Sequence, residues 1–222
     1  MATDGECSGR PLRRDALANQ ERLLAAATAV FLREGHHVPM ATIAAEAGVG
    51  VGTLYRRYPS RDALLEALTL RSFRLLVALA EEAEGREGDA LARLDRYWDR
   101  VIDERDQLVL PLHGGPPVTA DEVRAERARL HACLRRLLDA GCRDGSIRDD
   151  VDTSDIVLFG AMLVAPLPGA SDWNAVARRQ KAIHLDGLRP TATTLSEHSV
   201  ARTCICATGC VSLSTESEPV QR

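Results

Sequence analysis

The chain has 222 residues, 45% of them apolar but only 4% aromatic, so a sizeable core is possible and aliphatics with alanine must fill it. Its net charge of −4 is uneven: from Arg10 to Arg61 eight arginines stand against Asp15, Glu21, Glu34 and Glu46, giving that segment +4 and leaving −8 for the remainder. That asymmetry suits a protein that turns one basic face to nucleic acid, while the opening MATDGECSGRPLRRD lacks a secretory apolar run and the longest apolar stretch, Val157 to Leu167, falls far short of the ~20 residues that span a bilayer.

A soluble, cytoplasmic chain with no membrane partner is therefore expected, its six cysteines present as thiols. Alanine, leucine, arginine and glutamate dominate and β-branched residues rarely cluster, which predicts an all-α fold. A single lysine, Lys181, accompanies 27 arginines, a coding bias rather than a functional signal.

Residues 1–15 read as a flexible basic arm whose Arg10, Arg13 and Arg14 either reach phosphates or are simply solvated. Asn19 is a candidate N-cap for a first helix with a stripe of Leu23, Leu24, Ala27, Val30 and Phe31, stopping at Gly35. His36 and His37 follow in a loop, without metal-ligand spacing. Pro39 opens a second helix, where its missing N–H costs nothing. Ile43, Ala44 and Ala47 share one face of it, and Gly48 supplies a tight turn into a third helix. On that helix Leu54 and Tyr58 should point inward with Val51 nearby. The opposite arc carries Gly52, Thr53 and Arg56, flanked by Tyr55 and Arg57. Small, hydroxyl, aromatic and guanidinium groups on one face suit a major groove and its phosphates.

The stretch VPMATIAAEAGVGVGTLYRRYPSRDALLEAL resembles the DNA-binding segment of TetR-family transcriptional regulators, nearly without gaps from Ile43 to Leu65. The spacing of Ala-Gly-Val, Gly-Thr-Leu-Tyr and Pro-Ser-Arg-Asp carries the resemblance. It implies a three-helix helix-turn-helix head at 16–61 and a helical ligand-binding and dimerisation body at 62–190; residues 191–222 lie outside the likeness, and their composition predicts a disordered tail. It also implies that Thr53 and Tyr55 approach bases or phosphates, with Arg57 and Arg61 at positions that grip phosphate. Arg56 falls where the family varies and is the candidate base reader, bidentate to guanine. The family's usual cap and arginine early in the second helix are absent here, which leaves Thr42 and backbone amides as that helix's phosphate contacts.

Beyond the head, Ser60 caps a fourth helix running to about Glu84, and GREGD breaks it. A fifth spans Ala90 to Arg105, and LVLPLHGGPP is a short apolar piece ended by glycine and proline. Thr119 to Glu122 reads as a capping box for a helix to Gly141. Thr153 or Ser154 caps the next, and Ser171 or Asp172 the last. The penultimate helix is apolar almost all round and contains Gly160 and Ala161, so it needs partners on every side. With the last helix it is read as a homodimer seam forming a four-helix bundle, through Ile156, Phe159, Gly160, Leu163, Trp173, Val176, Gln180 and Ile183.

The resemblance further implies a small-molecule effector cavity in the body. Candidates for its lining are Phe73, Leu76, Trp98, Leu110, His113, His131, Leu134, Phe159 and Met162. The expected partners are thus a palindromic double-stranded DNA operator, an effector and a second copy of the chain, with no cofactor and no metal. Cys133 and Cys142 lie half a turn out of phase and cannot bridge within the chain. Cys204, Cys206 and Cys210 form an incomplete metal set in a Ser/Thr-rich tail. No nucleophile elbow, P-loop, dinucleotide fingerprint or zinc helix motif occurs, which disfavours an enzyme. An architectural DNA binder without ligand response is the remaining rival, against which the large apolar body argues.

Overall fold

The computed structural model describes residues 10–35, 37–110, 120–167, 169 and 171–191, with side chains from residue 18 onward. Helices α1 (Arg10–Glu34), α2 (Met40–Glu46), α3 (Val51–Arg57), α4 (Arg61–Glu84) and α5 (Ala90–Asp103) come first. A single 3-10 turn (Arg105–Gln107) then leads to α6 (Asp121–Asp144), α7 (Thr153–Leu163) and α8 (Trp173–Gly187), and no strand occurs among the described residues.

The first helix begins nine residues before the expected cap at Asn19, so residues 10–15 are helical rather than a flexible arm. Arginine, leucine and alanine propagate a helix well, and Pro11 sits in the first turn, where no N–H is needed. Asn19 lies inside α1, its Oδ1 accepting from Arg22. One other cap differs from expectation, and the last is one of the two residues expected. Asp152, not Thr153 or Ser154, caps α7 in a reciprocal box: its carboxylate accepts from the backbone of Ser154 and Asp155, while Asp155 accepts from the N–H of Asp152 at 2.9 Å. The last helix is capped by Asp172, which accepts from Ala175 N–H at 3.1 Å. Thr119 lies outside the described residues.

Two hydrophobic clusters form. The front one joins the α1 stripe to Ile43, Ala44, Leu54, Tyr58, Leu64, Leu65 and Leu68. The larger one gathers the second half of α4 with α5 to α8 around Trp98, which is fully buried. Helix α4 belongs to both, so any tilt of α4 in the body is delivered to the head. The segment Leu108, Val109, Leu110 also divides between them: Leu108 and Leu110 enter the body cluster and Val109 the front one. An extended backbone, with Leu108 at φ −102° and ψ 116°, alternates its side chains in this way.

Ion pairs set how the body helices lie. Arg74 reaches Glu122 and Glu126 at 3.6 Å each, Arg129 reaches Glu81 at 2.6 Å and Arg136 reaches Glu84 at 2.9 Å, so α4 and α6 run in parallel register. Exposed pairs of this kind contribute little energy each and serve mainly as register marks. Between α5 and α8 the arrangement is tighter. Lys181, 6% exposed, places Nζ 2.5 Å from Asp95 and 2.6 Å from Asp99, while Arg178 reaches Asp99 and Asp103. Asp95, Asp99 and Asp103 repeat every four residues, one acidic stripe on α5. The lone lysine is thus a buried strut rather than a compositional accident.

Helix α6 does not stop at Gly141 but runs to Asp144 and ends at Gly145, φ 74°. Gly141 sits inside it because a Cβ there would fall 2.6 Å from Ile147. Cys133 and Cys142 are both free thiols, the first buried and the second exposed. No described helix is long and apolar enough to cross a membrane.

Candidate nucleic-acid interface

The turn between α2 and α3 forms because Gly48 adopts φ 65°, a region open to glycine without strain, while Val49 N–H closes on Ala44 O at 2.9 Å. Helix α3 then anchors through Leu54, wholly buried, and through Tyr58 just past its end. Ser60 caps α4, its Oγ accepting from Ala63 N–H at 3.1 Å. With both ends pinned, the rest of α3 turns outward.

Gly52, Thr53, Tyr55, Arg56 and Arg57 are all exposed, and Thr42 and Arg61 are half-buried at the margins. Arg56 Nη2 donates to Thr53 Oγ1 at 3.0 Å, and Arg57 Nη2 donates to Gln20 Oε1 on α1. Both partners are uncharged oxygens, and among the described residues no carboxylate forms an ion pair with either guanidinium. Arg33, by contrast, is tied to Glu34 and Glu46 at 2.9 and 3.2 Å. A pre-oriented, uncompensated guanidinium is what a phosphate or a guanine edge requires.

Two residues in this face were not expected from sequence. Val51, assigned inward, is 44% exposed beside Tyr55 at 47%. Only 40° separates them around the helix axis at 100° per residue, so the exposure of Tyr55 was the available signal. Gln20 was missed because its contact spans 37 residues, which local periodicity does not register.

The front of the chain, residues 23–68, matches the model of the bacterial regulatory proteins of the tetR family, and residues 107–190 match the C-terminal domain of SbtR-like transcriptional regulators. A TetR transcriptional regulator from Streptomyces coelicolor is 34% identical, with 78% of this chain and 99% of that one covered at a TM-score of 0.50. The chain belongs to the TetR family of bacterial transcriptional regulators. A TetR regulatory protein from Mycobacterium vanbaalenii is 29% identical over 81% of this chain and all of that one, TM-score 0.54. FadR from Bacillus subtilis, 17% identical over 77% and 100% of the two chains, shares the fold at a TM-score of 0.55. No curated protein matches the sequence. The family is one of DNA-binding regulators rather than enzymes.

Elsewhere in this TetR-family body, Phe73, Leu76, Trp98, Leu110 and Leu134 meet in one cluster, with Phe159 packed against it. Phe159 stacks on His184 with ring centroids 3.8 Å apart, and Trp98 meets both edge-on at 5.0 and 5.3 Å. Burial holds the His184 imidazole below its usual pKa, against a weaker opposing pull from Asp155. His131, also lowered chiefly by burial, is bonded through Nδ1 to Thr153 Oγ1 at 2.8 Å. His113 lies outside the described residues, as do Cys204, Cys206 and Cys210. Met162 departs from its expected place in the lining: it is 60% exposed, one turn beyond exposed Leu158 on the outer side of α7. A cleft of about 250 Å³ lies between Cys142, Ile147, Arg148, Asp150 and Pro190, and none of the described lining candidates borders it.

The expected dimer seam divides in two. Ile156 and Leu163 are 1% and 2% exposed and face the chain's own core, and Gly160 lies against Trp98. Trp173 is half-buried, its Nε1 donating to Leu163 O at 2.6 Å. Val176, Gln180 and Ile183 are exposed on α8, as Leu158 and Met162 are on α7. The correction is geometric: α7 buries one side within its own body and leaves only the other uncovered.

Proposed function

We propose that this protein is a homodimeric, sequence-specific repressor whose grip on a palindromic operator is relaxed by a small-molecule effector. The observation that carries the reading is the outward arc of α3, where Arg56 and Arg57 are held by neutral oxygens and Tyr55 stands beside them. Arg56 with Thr53 reads base edges, bidentate to guanine; Arg57, Arg61 and Thr42 take phosphates; Gly52 lets the backbone approach closely.

Dimerisation is supported by the uncovered apolar residues of α7 and α8. Leu158, Met162, Val176 and Ile183 are 42%, 60%, 40% and 58% exposed, two on each of the last two helices. Covered by a second copy, they give a two-fold pair of heads, suited to half-sites about one helical turn, ~34–36 Å, apart.

An effector that enters among Phe73, Leu76, Trp98, Leu110, His131, Leu134 and Phe159 would press on α4 and on the 108–110 segment, both shared with the head. It lowers operator affinity to the extent that it prefers a different placement of α4. That the fold accommodates a small molecule is supported by FadR, described in complex with stearoyl-CoA.

The test is fluorescence anisotropy with duplexes selected from a randomised pool. The Tyr55→Ala/Arg57→Ala variant should remain folded and dimeric while losing the selected operator. Equal binding by that variant ends the reading, and steep salt dependence with no preferred sequence favours an architectural binder instead.

A further inference from the structure

We infer that Val51 is a specificity-determining residue that reads the 5-methyl group of a thymine in each half-site. The inference rests on the DNA-binding reading above and adds which base group the apolar edge of α3 takes.

Around the α3 axis, at about 100° per residue, the outward side chains follow the order Val51, Tyr55, Gly52, Arg56, Thr53, Arg57, and Leu54 closes the circle on the buried side. The face is therefore split. One edge is apolar, with Val51 and Tyr55 one turn apart and 44% and 47% exposed. The other is polar, with the Thr53–Arg56 pair closed at 3.0 Å and Arg57 held by Gln20. Gly52 lies between them without a side chain.

Burial in the core does not account for Val51 being an apolar residue, since it is 44% exposed. Leu54 is the only α3 residue buried, and Val51 is not among the residues of the front cluster. Exposed single apolar residues are common on protein surfaces. Here, however, two of the three large exposed hydrophobics of the described head lie together on a seven-residue helix, next to two guanidinium groups held by neutral oxygens. In the major groove the only apolar feature is the thymine methyl, and guanine alone offers two acceptors to a guanidinium. An apolar edge set beside an arginine edge thus matches a thymine set near a guanine.

The experiment uses the full-length protein and the operator selected from a randomised duplex pool. Each thymine of a half-site is replaced singly by deoxyuridine, which removes one methyl and leaves every hydrogen-bonding group in place. At one thymine per half-site the wild-type protein should lose about fourfold in affinity, the worth of one desolvated methyl. Val51→Ala should bind thymine and deoxyuridine duplexes alike at that position while keeping its preference for guanine, which shows that the head is still folded. Because Val51 is exposed and alanine favours helix, its thermal stability should be unchanged. Indifference of the wild type to every deoxyuridine, or a thymine preference that survives Val51→Ala, overturns the inference alone. A pool that yields no preferred sequence overturns both it and the base-reading role beneath it.

Discussion

The amide of Val109 donates to Ser72 Oγ at 2.9 Å, and that hydroxyl in turn donates to Leu68 O at 2.9 Å, so a loop from the body is bonded to the helix that carries the head. Arg71, the preceding residue on α4, reinforces the joint: its guanidinium reaches Glu21 of α1 and Gln107 Oε1 at 3.1 Å each. Three elements meet at this point, and the side chain of Val109 fills the front cluster from the far side.

Ser72→Ala leaves the buried Val109 N–H without its acceptor. The expected cost is about 1–3 kcal/mol, a fall in Tm of several degrees for a chain of this size. Thermal unfolding followed by far-UV circular dichroism measures it; an unchanged Tm would mean that the Val109 amide finds another partner.

Lys181→Ala removes the strut between α5 and α8 and leaves Asp95 and Asp99 facing each other. A fully buried pair broken in this way costs about 3–5 kcal/mol. These carboxylates are 43% and 38% exposed, so water relieves part of the loss and about 1–3 kcal/mol is expected. Urea unfolding of Lys181→Ala beside Arg178→Ala should show the lysine variant to be the weaker of the two.

Gly141→Ala forces a methyl to within 2.6 Å of Ile147 Cγ1 and 2.7 Å of its Cβ. The Cβ atom cannot swing away, so overpacking should destabilise by about 1–3 kcal/mol, although alanine is the better helix former. The double variant Gly141→Ala/Ile147→Ala should recover part of that strain, and additive losses in the two single variants would refute the steric account.

Ile183→Glu places a charge among the exposed apolar residues of the last two helices. Light scattering should show a dimer converted to a monomer, with operator affinity falling because the second head is lost. Asp186→Lys, exposed on the same helix, is the comparison that should leave the dimer intact.

Acidification should weaken the fold. The His184 and His131 imidazoles are held below their usual pKa by burial, so the unfolded chain takes up their protons more readily than the folded one. The stability they confer is complete above the unfolded value of about 6.5 and is lost as pH falls below it toward the lower folded values. Tm should fall between pH 7.5 and 5.5, and the fall should be shallower in His184→Phe, which keeps an aromatic ring against Phe159 and Trp98.

Much of the head was legible because its determinants are local. Gly48 marks the turn, Ser60 the cap of α4, and the spacing of Ile43, Ala44 and Leu54 the buried faces, each within a few residues of what it controls. The α1 start was misread because Asn19 is as acceptable inside a helix of strong formers as at its cap. In the body, Met162 and Ile156 both sit on an apolar helix, and sequence alone offered no means of telling which side would be covered.

The chain order of residues by itself determined that this protein is helical, where most of its helices begin and end, and that its front carries the motif of a TetR-family regulator, since caps, glycine turns and apolar periodicity act over one or two turns. Tertiary structure alone decided that Val109 crosses into the head, that Lys181 lies between two aspartates, that Gln20 steadies Arg57 and that Val51 faces out. Each of those outcomes depends on which segments, tens of residues apart, come to exclude water from one another, and no spacing along the chain encodes that directly.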